Sequence, residues 1–460
     1  MSPPPNVLFI AVDAMRRDRL GCYGHPGALT PQLDKFAGQS RRFDHMISGG
    51  TWTQAAFPSL LTSTYASMFN GCLGPLSPER PSPIAELQNA GYQTIGVTSN
   101  PLTGLQYGYN RGFDQFYELR PTRKDPRIRY RKGGQSLLRS PLTHRFAQRM
   151  GQDLRPGPVY LPAEAVNRQA LAALEQSSGP HFLWLHYMDV HWPYHINEEL
   201  THPSHIATAW QDVAAFHEAS WGNASLSAQQ QAHFIQLYEY ALQCLDRDIG
   251  RLLDGLSRSG WLEDALVIVV ADHGEEFYDH GRWGHMEVNF HDEVSRVPLL
   301  VRAPRWDHGQ AGLNRSIDSL VDSLDIMPTI LDYCGVEPPD GMLGASLKGN
   351  YSAAEHVQDD KIAFSERWRP PESMIAAHTP RFKLIWDETR PTSPRLYDLI
   401  NDPGELQDQA AAYPDITARL NQAVQEHLAR VGASQTSASA SQIEMDDEML
   451  DRMRALGYVE

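Results

Sequence analysis

Two hydrophobic rhythms alternate along the first three quarters of the chain. Continuous apolar runs stand at residues 7–12, 94–98, 182–187, 265–271 and 297–301. A short unbroken run of this kind is the pattern of a strand buried on both faces of a parallel sheet. Between the runs, apolar residues recur at spacings of three and four over 31–39, 59–65, 163–175, 229–256 and 317–333. That spacing predicts helices with one buried face. Strands alternating with helices predict an α/β sandwich: a large, mostly parallel sheet flanked by helices.

Near residue 340 the rhythm changes. Short runs at 362–365, 374–377, 382–386 and 396–399 are separated by Pro, Asp and Asn. They predict a small antiparallel sheet, and the spacing over 405–430 predicts a helix beside it. The expected organisation is a catalytic α/β domain over 1–340 and a small C-terminal α+β subdomain over 341–431. A Ser/Ala-rich linker and a tail helix (444–456) make up 432–460. No internal repeat is present.

The 460 residues can bury a sizeable core, and 41% hydrophobic with 21% charged residues excludes collagen-like, disordered and coiled-coil classes. A formal charge of −16 makes bulk nucleic acid an unsuitable partner. The charge is uneven. Residues 120–155 hold eleven Lys/Arg against two Asp/Glu, a segment of +9 on a remainder of −25. Two readings stand: a solvated basic insertion, or a guide for a polyanionic or lipid-headgroup substrate. Four well-separated cysteines contain no CxxC pair, which excludes a zinc ribbon or thioredoxin motif and fits free thiols. The N-terminus has no basic region before its first apolar run, and no run reaches the roughly 18 residues of a membrane span. The expectation is a cytoplasmic protein without a transmembrane segment.

In open α/β sheets ligands gather beyond the carboxyl ends of strands. Asp13 follows the first run, Asp272 and His273 follow the fourth, and Met188-Asp189-Val190-His191 follows the third. Carboxylates and an imidazole converging on one edge call for a cation. Oxygen from Asp13 and Asp272 and nitrogen from His273 suit one divalent ion, with Ca, Mn, Mg and Zn all open. Thr53 stands just before a helical stretch, where the plain expectation is a helix N-cap. The alternative is a hydroxyl nucleophile that is itself a ligand of the metal and is activated by that coordination. His191 and His285 lie near the same edge and suit donation to an anionic oxygen or protonation of a leaving group. Asp189 reads as a turn cap, although a second metal through Asp189, His191 and His285 is conceivable. His280 and His291 read as structural.

These segments resemble the sulfatase family of the alkaline phosphatase superfamily. The opening Asn6 to Asp13 carries the likeness, with Thr30-Pro31-Gln32-Leu33-Asp34, His191-Trp192-Pro193-Tyr194 and Ala271-Asp272-His273-Gly274-Glu275. So do Arg296-Val297-Pro298-Leu299 and the stretch from Leu396 to Glu405, in the family's order over nearly the whole chain. The resemblance implies an alkaline-phosphatase-like fold and a metal held by Asp13, Asp272 and His273. It places His191 and His285 around the anion, Asn100 at a substrate-binding position and Thr53 at the nucleophile. The departures matter. The family's formylglycine signature (Cys or Ser, then Pro and Arg) is here Thr53-Gln54-Ala55-Ala56-Phe57, so formylglycine is not expected. Ala14 replaces a second acidic ligand, and Asn100 and His285 stand where lysines are common.

A formylglycine hydrate expels sulfate by elimination, whereas threonine must be relieved by a second displacement, which favours phosphorus. Lost cations disfavour a dianionic phosphate monoester. The expected activity is cleavage of a sulfate ester, or of a singly charged phosphate or phosphonate ester, through a Thr53 covalent intermediate. A phosphodiesterase or phosphoglycerol-type transferase is the alternative. A catalytically silent polyanion-binding protein is the non-enzymatic one. The tail helix is a candidate contact for a homo-oligomer.

Overall fold

A computed structural model describes residues 4–121, 134–156, 159–194, 203–285, 289–307, 315–348, 361–435, 449–450 and 453. In chain order the first half holds β1 (Val7–Val12), α1 (Pro31–Ala37), β2 (Arg41–Ile47), α2 (Thr53–Thr62), α3 (Pro83–Asn89) and β3 (Gln93–Thr98). β4 (Gln115–Glu118), α4 (Gly134–Leu138), α5 (Pro141–Arg149), α6 (Ala163–Leu174) and β5 (His181–Tyr187) follow. Next come α7 (Pro203–Ser220), α8 (Ala228–Arg258), β6 (Leu266–Ala271) and a two-stranded ribbon of β7 (Glu276–Phe277) and β8 (Trp283–Gly284). α9 (Asp292–Ser295), β9 (Arg296–Arg302), β10 (Arg315–Asp322) and α10 (Ile326–Cys334) complete the larger part. The last part holds β11 (Ala363–Arg367), β12 (Met374–His378), β13 (Phe382–Asp387), β14 (Arg395–Asp398) and α11 (Pro414–Ala433).

The eight-stranded sheet has the order β10-β2-β9-β6-β1-β5-β3-β4. Its pairs are parallel except those of β9, which runs antiparallel to β2 and β6. β1, β5 and β6 are buried along their whole lengths, as their unbroken apolar runs require. The C-terminal sheet is a four-stranded antiparallel meander with α11 against it. The α/β architecture with a large, mostly parallel sheet and a small C-terminal antiparallel sheet is therefore the one expected.

Three elements differ from the sequence expectation. The stretch expected as one helix over 317–333 is strand β10 followed by α10. Its pairing with β2 slips between Ile317 and Leu320, a bulge that spaces apolar residues by three and imitates a helix. The partner strand β2 escaped the pattern for the same reason, with a slip between Phe43 and Met46, and because charged Arg42 and Asp44 pair along it. The C-terminal helix starts at Pro414 rather than near 405, because Glu405 is turned inward at φ 49° to meet buried Lys383. Most of the linker and tail lies outside the described residues, but Met449 and Met453 are buried in the main core.

Candidate active site

Register assembles the site. Val12 pairs with Tyr187 on one side and Ala271 on the other, so the residues after β1 and β6 emerge side by side. Asp13, Asp272 and His273 are fully buried, and one ligand atom from each lies within 4.8 Å of the others. His273 Nε2 stands 3.6 Å from Asp13 Oδ1 and 3.5 Å from Asp272 Oδ2. All three of these atoms are buried without a hydrogen-bond partner. Their orientation is enforced from behind. His273 Nδ1 faces the Gly274 carbonyl at 2.8 Å, which leaves the Nε2 lone pair forward. Asp272 Oδ1 accepts from the His273 and Ala14 backbone N–H groups at 2.7 and 3.2 Å. Ala14, where the family resemblance suggests a further acid, sits at φ 56° and joins the two carboxylate-bearing strand ends through its backbone.

Electrostatics make the cluster unstable as a bare set. Burial and the Asp13 charge push the Asp272 carboxyl well above the usual carboxylate range. Asp13 is raised by its own burial, but the imidazoles of His191, His186 and His273 reverse this and hold it low. Burial pushes the imidazoles down as well, His273 to about 3 and His285 to about 4. Two adjacent carboxylates among neutral imidazoles cannot both ionise without a counter-charge. Among the described residues no lysine or arginine ion-pairs with Asp13 or Asp272. The nearby buried Arg16 is committed to Asp18, Asp279 and the Glu275 carbonyl. Orphaned oxygens and an orphaned imidazole nitrogen at mutual coordination distance are a donor set that fits a divalent cation.

Thr53 is the first residue of α2 rather than its cap. Trp52 occupies the cap position, and the buried Thr53 hydroxyl donates to Asp13 Oδ2 at 3.1 Å. Asn100 Nδ2 donates to the same oxygen at 3.0 Å, while its Oδ1 accepts from the Leu102 N–H. His285 Nδ1 meets Glu275 Oε1 at 2.9 Å, and its Nε2 is buried and unpartnered. The His285 ring lies 4.3 Å from that of His273 and 5.0 Å from that of His191. His191 Nδ1 is held by the Trp192 carbonyl. Asp13, Thr53, Asn100, His191, Asp272, His273 and His285 thus converge on one buried locus.

Asp189 takes no part in the cluster. Both its oxygens accept from the Ala163 N–H at 3.0 Å, at the start of α6. Phe57 is wholly buried, with its ring 4.5 Å from that of His186 and 5.9 Å from that of Trp184. An apolar side chain thereby fills space on the inner side of the site. Two residues were missed from the sequence. His186 Nε2 stands 3.6 Å from Asp13 Oδ2, and Glu275, raised by burial to about 7, supports His285. His186 was hidden inside an apolar run. Its strand lies beside the one that Asp13 follows, and that pairing, not a sequence signal, brings it to the site. His280 and His291 lie elsewhere, stacked at 3.4 Å, with His280 on Glu293 and His291 on Asn289.

The fold and the family match together place the chain among the ester hydrolases of the alkaline-phosphatase-like superfamily. A family model described as "Sulfatase" matches residues 5–336, and one described as "N-sulphoglucosamine sulphohydrolase, C-terminal" matches 281–430. The chain belongs to the sulfatase family. It is 23% identical to the N-acetylglucosamine-6-O-sulfatase of Bacteroides thetaiotaomicron, over 87% of this chain and 82% of that protein. The structure of BT4656 in complex with its substrate D-glucosamine-2-N,6-O-disulfate superposes with a TM-score of 0.68 at 19% identity, over 94% of this chain and 98% of that one. The phosphonate monoester hydrolase of Agrobacterium radiobacter gives 0.67 at 20% identity, over 93% and 95%.

Proposed function

We propose that the chain hydrolyses a singly charged sulfate, phosphate or phosphonate ester, with Thr53 as nucleophile and one divalent cation held by Asp13, Asp272 and His273. The observation that carries this reading is the Thr53 hydroxyl on Asp13 Oδ2, beside three buried, unpartnered ligand atoms. A cation there supplies positive charge that favours the alkoxide form of a hydroxyl and offsets charge on a transferring sulfuryl or phosphoryl group. Thr53 Oγ1 attacks sulfur or phosphorus as the ester C–O–S or C–O–P oxygen departs with its electron pair. The hydroxyl proton passes toward Asp13 Oδ2, its present acceptor. Asn100 orients that carboxylate. When the proton shared by Glu275 and His285 lies on Glu275, the imidazole carries its hydrogen on Nε2; that hydrogen passes to the leaving oxygen as Nδ1 takes the Glu275 proton, leaving a neutral imidazole beside a carboxylate. Water then displaces the threonine oxygen, one water proton restoring the His285–Glu275 pair and the Asp13 proton returning to the Thr53 oxygen.

Charge at the site favours a monoanion. Phe57 stands where an arginine would contribute, and Asn100 and His285 add no fixed charge. A phosphate dianion would meet one cation and neutral imidazoles only. Threonine also has no route to eliminate the bound group, so release requires a second in-line displacement, a reaction natural to phosphorus.

The test is a rate panel of aryl sulfate, phosphate monoester, phosphate diester and phosphonate monoester with Mg²⁺, Mn²⁺, Ca²⁺ or Zn²⁺ added. Metal analysis should find one divalent ion per chain, lost in Asp272→Asn. Thr53→Ala should lower turnover of the best ester by at least about a thousandfold, the scale of losing a covalent nucleophile. Intact-mass analysis of quenched wild type should show a sulfo or phospho adduct at Thr53. Full turnover in Thr53→Ala defeats the reading. Absence of both metal and hydrolysis points instead to a silent polyanion binder.

A further inference from the structure

We propose that the α4–α5 face docks on an anionic lipid bilayer. α5 carries apolar residues on two sides. Its inner side packs on α7, with His144 and Ala147 buried and Leu138, Ile206 and Trp210 forming a small core beneath. The outer side is the unusual one. Leu142, Phe146 and Met150 recur every four residues and are 72%, 68% and 65% exposed, and Leu137 on α4 is 51% exposed. At 100° per residue these positions form one outward stripe, and Arg145 and Arg149 border it. Both arginines are exposed, and neither has an acidic partner among the described residues. A contiguous exposed apolar stripe on a soluble fold marks a contact surface.

Charge selects the occupant. The α4–α5 stretch, residues 134–156, holds four arginines against one acidic residue in a chain of formal charge −16, so an anionic surface is drawn to this stretch against the charge of the chain as a whole. A sulfated polymer would satisfy the arginines but leave Leu142, Phe146 and Met150 against water. A second copy meeting this face across a two-fold axis would set Arg145 and Arg149 against their own equivalents. A bilayer with acidic headgroups takes both parts: acyl boundary for the stripe and phosphate for the guanidinium groups. The placement is also directional. β4 runs parallel to β3, so the chain leaves it toward the edge where Asp13, Asn100 and Asp272 follow their strands. α7, which supports α5, stacks Phe216 on Trp192 at 3.9 Å, next to His191.

Co-sedimentation of the full chain with vesicles tests this. Wild type should bind vesicles of phosphatidylcholine mixed with phosphatidylglycerol, bind pure phosphatidylcholine far less, and release with salt. Leu142→Asp with Phe146→Asp, and separately Arg145→Glu with Arg149→Glu, should each weaken that binding at least about tenfold. Melting temperature and turnover of a soluble ester should stay unchanged. The arginine pair is exposed and makes no ion pair among the described residues, so it decides the matter even where the aspartates disturb folding. No binding to acidic vesicles at low salt overturns the proposal, as does binding that both variants retain. So does a solution dimer, or binding to a sulfated polymer, that the variants abolish while vesicles are never bound.

Discussion

Phe57 shows how one side chain sets the chemistry available to its neighbours. Its ring packs among His186, Trp184 and Tyr109 with no exposure. A charged group introduced there would be desolvated without a carboxylate shaped to receive it. Phe57→Arg is therefore expected to destabilise the chain by roughly 3–5 kcal/mol, read as a lower urea midpoint, rather than to restore a family-like cation. A variant of unchanged stability would mean the guanidinium reaches the site. Ala14 makes a related point. A left-handed non-glycine residue costs roughly 1–2 kcal/mol, and here its N–H fixes the Asp272 carboxylate that faces Asp13.

At the scale of elements, the junction between β10 and α10 positions α2, the helix that begins with Thr53. Asp322 ends β10 and caps the next turn through the Leu324 N–H at 2.8 Å. The adjacent Ser323 hydroxyl accepts from the Gly49 N–H and pairs with Ser59 of α2. Burial, with the charge of Asp325, raises the Asp322 carboxyl from 3.8 to about 7. The folded state then binds its proton more tightly than the unfolded chain. The ionised form is a burden that is absent below pH 3.8, grows as pH rises, and is complete above about 7. Asp322→Asn keeps the capping oxygen and removes that burden. Its unfolding free energy should match wild type near pH 4 and exceed it near pH 8, by an amount of order 1–4 kcal/mol. A gain independent of pH would assign the effect to something other than this carboxyl.

Across the whole molecule, the C-terminal subdomain clamps the segment that carries Thr53. Glu366 on β11 donates its backbone N–H to Gly49 and bridges Gly50, while Ser365 bonds the Ser48 carbonyl. The Glu366 carboxylate accepts from the Ser67 N–H and hydroxyl just beyond α2 and meets His427 of α11. One buried residue thus ties the C-terminal sheet to the segments on either side of α2 and to α11. Glu366→Ala leaves these groups without their partner and should destabilise the fold by roughly 3–5 kcal/mol in urea unfolding, with Glu366→Gln losing less. Equal loss in both variants would make packing, not hydrogen bonding, the source. Among the described residues no helix is long and apolar enough to cross a membrane, and all four cysteines are free.

The sequence alone specified the sandwich, because strands buried on both faces must be apolar throughout and their helices apolar on one side. It also named Asp13, Asp272 and His273, because acidic and imidazole groups that follow separate buried strands onto one edge call for a cation, while the family resemblance placed the nucleophile at Thr53. What it could not determine was register. Bulges in β2 and β10 spaced their apolar residues like helices, so two strands were legible only once paired. His186 lay within an apolar run, and only the pairing of β5 between β1 and β3 turns it toward Asp13. Whether Thr53 caps a helix or faces a carboxylate, and whether Asp189 ligates or caps, depends on distances between residues far apart in the chain. Tertiary structure decided these, because local patterning fixes which side chains are buried but not which buried groups meet.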